Sequence, residues 1–170
     1  MDNEQPQQVA FIVFDGFELL DVFGPAEIFS KVPGLQVKFV SADGEPVASS
    51  QGVKILPDTT FDSLVCDTVM VPGGQGTRAL VKNADFLARI YKMASCTSLV
   101  CSICTGSAVL AAAGLLEGYA ATSNKLAFDW ATSFGKDIDW KNSARWVHDR
   151  DRWTSSGVAA VSYTHLTLPT

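Results

Sequence analysis

The stretch Leu99-Val-Cys-Ser-Ile-Cys104-Thr-Gly-Ser-Ala-Val-Leu-Ala-Ala-Ala-Gly114 decides how this chain is read. Ser98-Leu-Val-Cys-Ser-Ile103 is a short, continuous apolar run, the pattern of a strand covered on both faces of a parallel sheet. The small residues after Cys104 then open a helix. A sharp strand-to-helix turn of this kind, a nucleophile elbow, needs small neighbours such as Gly106 and Ser107. It lifts Cys104 out of the sheet and sets its sulfur at a helix N-terminus, whose dipole lowers a thiol pKa. The expectation is a thiolate available near neutral pH, with Cys104 the most reactive of four cysteines. The bland alternative is a buried inert thiol, and that is the reading for Cys66, Cys96 and Cys101. Cys101 and Cys104 form a C-x-x-C. A redox pair is disfavoured there, because Cys101 lies inside the strand and residues three apart on a strand point to opposite faces.

Working outward, Val9-Ala-Phe-Ile-Val-Phe14 is a second buried-strand run, and Val37-Lys-Phe-Val40 and Thr68-Val-Met-Val71 are shorter ones. Helix-like crossovers at residues 21–31 and 84–94 separate them. Strands alternating with helices imply an α/β fold with a mostly parallel sheet. Pro25 is expected within about the first turn of the first crossover helix, with Asp21 at its N-terminal edge. Residues 47–60 suggest a small hairpin insertion. Ala144-Arg-Trp-Val147 and Arg152-Trp-Thr154 suggest a second hairpin around the turn His148-Asp-Arg-Asp151. The domain is expected over residues 8–161. Residues 1–7 are expected to be a disordered N-terminus, and residues 162–170, which lack periodicity, a non-native tail on a truncated C-terminus.

Composition sets the remaining bounds. With 170 residues, 47% of them hydrophobic, the chain can bury a single core. Its 13 Lys and Arg against 18 Asp and Glu give a net charge of −5, which argues against nucleic-acid and anionic-membrane partners. The apolar run at residues 108–116 falls far short of the roughly 20 residues that span a bilayer, and the N-terminus is polar rather than a signal peptide. A cytoplasmic protein with free thiols is the expectation. Only two histidines occur, His148 in the hairpin turn and His165 in the tail, so neither a Cys–His pair nor a metal site is expected.

Two further features follow strands. Val71-Pro-Gly-Gly-Gln-Gly76 offers backbone N–H groups that would serve as an oxyanion hole, or is a plain strand-to-helix turn. Asp15-Gly-Phe-Glu-Leu-Leu-Asp-Val-Phe-Gly-Pro25 carries the carboxylates Glu18 and Asp21, of which Asp21 is also readable as a helix N-cap. The aromatic-rich segment from Trp140 to Trp153 reads as packing rather than as a stacking platform.

Taken together, Leu20-Asp-Val-Phe-Gly-Pro25, Val71-Pro-Gly-Gly74, Ile103-Cys-Thr-Gly106, Gly114-Leu-Leu-Glu-Gly118 with Ala121-Thr122, and Trp153-Thr-Ser-Ser-Gly157 resemble the ThiJ/PfpI superfamily over about residues 9 to 160. That resemblance implies a class I glutamine amidotransferase-like, flavodoxin-type sandwich with helices on both sheet faces, and a homodimer. Within the superfamily the pattern is most similar to isonitrile hydratases and to sensor domains of transcription regulators. The resemblance implies a cofactor-independent lyase with a small-molecule substrate, Cys104 as nucleophile and Asp21 as general acid/base. Gly73, Gly74, Thr105 and Gly106 would hold substrate or developing charge. Thr105 after Cys104 disfavours the peptidase branch, where His follows the Cys. Two other readings stand beside the lyase: a non-catalytic ligand-sensing domain, and a glyoxalase or deglycase acting on reactive carbonyls. Asn124 occupies the position where many hydratase-like members have His.

Overall fold

The computed structural model describes residues 6–157. In chain order the elements are β1 (Gln7–Ile12), α1 (Leu19–Ser30), β2 (Leu35–Ser41), β3 (Val47–Ala48), β4 (Lys54–Ile55), β5 (Thr59–Thr60), β6 (Thr68–Val71), α2 (Thr77–Leu80), α3 (Ala84–Ala94), β7 (Leu99–Ile103), α4 (Gly106–Ala112), β8 (Ala120–Ala121), α5 (Phe128–Ala131), β9 (Asp139–Trp140), β10 (Trp146–Asp149) and β11 (Arg152–Ser155). Seven strands form one sheet in the order β10-β11-β7-β6-β1-β2-β5, parallel throughout except for β10. From β1 the chain winds outward through β2 to β5, then returns to the other side of β1 as β6, β7 and β11. The crevice between β1 and β6 is therefore the topological switch point, where open α/β sheets place their sites at the strands' carboxyl ends.

The apolar strand runs are buried because the sheet is covered. On the face of Val69, Val71 and Val100 the side chains are fully buried, with α4 packed against β6 and β7. On the other face α1 lies over β2, and Phe11 packs against Phe29 and Phe39 at ring distances of 6.3 and 6.2 Å. Helix α3 buries Phe86, Ile90 and Met93 while Asp85 and Lys92 stay outside, and the side chain of Asn83 caps it by accepting from Phe86 N–H at 3.0 Å. No helix among the described residues is long and apolar enough to cross a membrane.

Several expectations shift. Gln7 is not in a disordered leader: it pairs with Leu35 at the start of β1 and donates to the Gly34 carbonyl at 2.9 Å. Helix α1 begins at Leu19, with Glu18 as N-cap and no side-chain cap, so Asp21 lies inside the first turn and is not the cap. Pro25 consequently falls in the second turn, where it interrupts the helical hydrogen-bond ladder. The insertion is a hairpin only at β3 and β4, since β5 leaves it to extend the main sheet beside β2. The second hairpin forms with His148 and Asp149 in β10, leaving a two-residue turn in which Arg150 takes a positive φ of 55°. Its tryptophans do not bury as a core: Trp146 is 61% and Trp153 40% exposed, and they stack on each other at 5.6 Å. The expected tail at residues 162–170 lies outside the described residues.

Replacing Asn83 with alanine removes the one side-chain cap of α3 and is expected to cost about 1 kcal/mol, read as a lower urea midpoint with unchanged slope.

Candidate functional site

The site is built from the loops after β1, β6, β7 and β11, which meet at the switch point. Cys104 sits between β7 and α4 in a left-handed conformation, φ 57°, which a non-glycine residue holds at a cost of about 1–3 kcal/mol. Hydrogen bonds on both sides pin it there. Its N–H donates to the Ser155 carbonyl at 2.9 Å, and its carbonyl accepts from the hydroxyls of Ser107 and Ser123, each at 3.2 Å.

Two glycines make room for Cys104, and a third lets α4 approach β6. A Cβ on Gly157 would lie 2.3 Å from the Cys104 Cβ, one on Gly73 would lie 2.8 Å from the Cys104 sulfur, and one on Gly106 would lie 2.1 Å from the Val71 carbonyl oxygen. No side chain fits at those distances, so the elbow, the Gly-rich loop and the end of β11 require one another.

Asp21 has no solvent exposure, and its Oδ2 accepts from Gly73 N–H at 3.0 Å. Gly74 N–H donates to Thr105 Oγ1 at 3.1 Å. The N–H groups of Gly73 and Gly74, from the loop expected to form an oxyanion hole, are thus engaged within the protein, and Gly106 serves the close approach of α4 to β6. The backbone N–H and hydroxyl of Thr105 and the side chain of Asn124 act on the thiol in the direction that favours its ionised form. Asn124 also accepts from the N–H groups of Leu126 and Ala127 at 3.0 and 3.2 Å, which fixes its amide. Glu18 is not part of this cluster; its carboxylate accepts from the Gln51 amide at 2.8 Å.

The electrostatics reverse one expectation. Burial first, and the charge of Asp21 second, push the Cys104 thiol up to about 12, against the three hydrogen bonds that lower it. The resting site holds a protonated thiol rather than a standing thiolate, because α4 is only two turns long and the sulfur is desolvated beside a carboxylate. Cys104 is 7% exposed, whereas Cys96 is open to solvent, so Cys96 and not Cys104 is the most accessible thiol. Cys101 is raised to about 12 by burial. Cys66 lines a separate groove of about 300 Å³ with Cys96, Met93 and Arg89.

Asn124, Ser123 and Ser155 are the contributors that the residue pattern left unassigned. Asn124 was visible only as a departure from a pattern, and the two serines reach Cys104 only through the sheet's closure.

Comparison with known proteins follows this geometry. The model of the DJ-1/PfpI family matches residues 7–168. The chain is 38% identical over 154 residues to an isonitrile hydratase from Pseudomonas putida, covering 90% of this chain and 66% of that protein. It is 29% identical over 169 residues to the HTH-type transcriptional regulator GbdR of Pseudomonas aeruginosa, covering 93% of this chain and 44% of the regulator. Among solved structures, a THiJ/PfpI family protein from Pseudomonas syringae superposes with a TM-score of 0.84 at 34% identity, covering 95% of this chain and 67% of that one.

Three outcomes test the site. The iodoacetamide alkylation rate of Cys104, followed by peptide mapping, is expected to rise about tenfold per pH unit from pH 7.5 to 10 without a plateau, since the thiolate fraction grows that way below a pKa near 12. Asp21→Asn removes a charge that raises the thiol, so it is expected to speed this alkylation at fixed pH. Gly106→Ala is expected to prevent recovery of folded protein, by the overlap with Val71.

Proposed function

The chain belongs to the DJ-1/PfpI family, and from that premise we propose that this domain is a cysteine-dependent lyase that hydrates a small electrophile, with an isonitrile going to an N-substituted formamide. One observation carries the reading: the Cys104 thiol stands at a strained elbow with a fully buried carboxylate, Asp21, close enough to perturb it. The 38% identity to an isonitrile hydratase supports the choice of electrophile. So does the tight surround of the sulfur, which suits the terminal carbon of a linear group.

The chemistry balances with the residues present. Asp21 takes the thiol proton as the sulfur bonds to the terminal carbon, and returns it to that carbon, giving a thioimidate on Cys104. Water then adds to the same carbon, its hydroxyl going to carbon and its other proton to nitrogen. The carbon–sulfur bond breaks as the new hydroxyl gives its proton, through Asp21, back to sulfur. The net change is one water per isonitrile, and the product is the formamide. Thr105 and Asn124 donate toward the sulfur whenever it carries charge, first before attack and again on release. In this cycle a high resting thiol pKa is suited to a nucleophile unmasked only by proton transfer within the closed site.

A second reading, a ligand-sensing domain, is favoured by the similarity to an HTH-type regulator along nearly the whole of this chain. Turnover separates the two. Formamide release from a simple isonitrile is expected with this protein, abolished by Cys104→Ala, and reduced about 10²- to 10⁴-fold by Asp21→Asn, the ordinary worth of a positioned acid/base. Saturable isonitrile binding without formamide release would favour the sensor.

A further inference from the structure

Two cysteines that take no part in the site around Cys104 face one space. Cys66 and Cys96, far apart in sequence, both line the groove of about 300 Å³ whose walls include Phe61, Leu64 and Met93. The sheet brings them there. Thr68 and Leu99 are partners where β6 and β7 begin to pair, and just before them the Asp67 carbonyl accepts from the N–H groups of Ser98 and Leu99 at 2.9 and 3.1 Å. Cys66 immediately precedes Asp67, and only Thr97 separates Cys96 from Ser98.

Neither cysteine lies in a strand or a helix. Cys66 is in the connection leading into β6, and Cys96 is in the turn that closes α3, its N–H donating to the Met93 carbonyl at 3.1 Å. A disulfide asks for Cα atoms about 4.4 to 6.8 Å apart, and neighbouring strands run about 4.8 Å apart. The closure of a bond between the two sulfurs therefore falls on two connections and leaves the sheet in place. Their surroundings assign different roles. Cys96 is exposed, whereas Cys66 is partly buried, and burial first and the charge of Asp67 second push its thiol up to about 11. A soluble oxidant meets Cys96 first, with Cys66 held beside it as the thiol. Cys101 and Cys104, three apart, are both buried and Cys101 lies within β7, so the C-x-x-C does not offer the same chemistry.

We infer that Cys66 and Cys96 form an oxidative modification site, a thiol pair that a hydroperoxide converts to an intramolecular disulfide at the amino ends of β6 and β7. The Cys96 sulfur bonds to one peroxide oxygen, the oxygen–oxygen bond breaks, and the thiol proton leaves with the other oxygen, giving a sulfenic acid. The Cys66 sulfur then bonds to the Cys96 sulfur, the sulfur–oxygen bond breaks, and the hydroxyl departs as water with the Cys66 proton. The two thiols together lose two electrons, and the peroxide gains them. Cys104 follows the carboxyl end of β7, so this site is separate from it and stands whether or not Cys104 turns over an isonitrile.

The test uses the unsubstituted protein, fully reduced and then treated with a stoichiometric amount of hydrogen peroxide. Remaining thiols are blocked with N-ethylmaleimide and peptides are mapped by mass spectrometry without reduction. The expected result is a Cys66–Cys96 cross-link within one molecule, an intact mass lower by two hydrogen atoms, reversal by dithiothreitol, and Cys104 still a thiol. Cys66→Ser is expected to abolish the cross-link and leave Cys96 as a sulfenic acid that dimedone traps. Cys96→Ser is expected to slow the oxidation of Cys66 about tenfold or more, since the exposed thiol is gone. Cys96 driven to sulfinic acid while Cys66 stays reduced overturns the proposal, as does a disulfide that joins two molecules or includes Cys101 or Cys104. Both thiols left unreacted, or Cys66 oxidised at an undiminished rate in Cys96→Ser, overturns it as well. The cross-link is read without any substitution, so a variant that does not fold leaves the decision intact.

Discussion

The left-handed backbone of Cys104 is the constraint on which the rest of this structure turns. A side chain held at φ 57° needs space that a packed α/β sheet does not ordinarily leave, and two other segments, at Gly73 and Gly157, yield it by presenting glycine. The pairing of β11 with β7 then supplies the Ser155 carbonyl to the Cys104 N–H, while two buried hydroxyls take up its carbonyl. The strain is therefore over-determined by neighbours that contribute no chemistry themselves, as strained functional residues generally are.

The same closeness governs the electrostatics. Two acidic groups, a thiol and a carboxylate, share a desolvated pocket, and burying either charge alone is costly. The protein's answer is to hand donors to both: Gly73 N–H to Asp21, and Thr105 with Asn124 to the sulfur. The balance still lies on the side of the thiol at rest. Reactivity is then set by where protons sit among a few hydroxyl and amide groups, rather than by a standing thiolate at a helix end.

Sheet order explains why these groups meet at all. Winding β2 to one side of β1 and β6 to the other opens a crevice between β1 and β6, where the first turn of α1, bearing Asp21, meets the Gly73 loop. The Glu18 N–H donates to the Gly73 carbonyl at 2.8 Å, and the Gly76 N–H to the Gly16 carbonyl at 3.1 Å, so the two loops are laced together beside Cys104.

Much was legible in the linear chain because it is carried by local pattern. Apolar runs marked the buried strands, with β6 at residues 68–71 as expected, and the amphipathic spacing of residues 84–94 matches α3. Small residues after Cys104 marked the elbow, since no other residue types permit so tight a turn. The motifs around Asp21, Gly73 and Cys104 pointed to the family, and the structure brings those three to one place. What local pattern does not carry is burial and proton placement. The helix-end argument put the Cys104 thiol low, while desolvation and Asp21, meeting it across 83 residues of chain, set it high. Asp21 read as a cap because a carboxylate near a helix start usually is one, and only the approach of the Gly73 loop gives it another partner. The roles of Asn124, Ser123 and Ser155 likewise exist only after β7 and β11 have assembled around Cys104. They are contacts between segments far apart in sequence, and such contacts leave no period or composition to read.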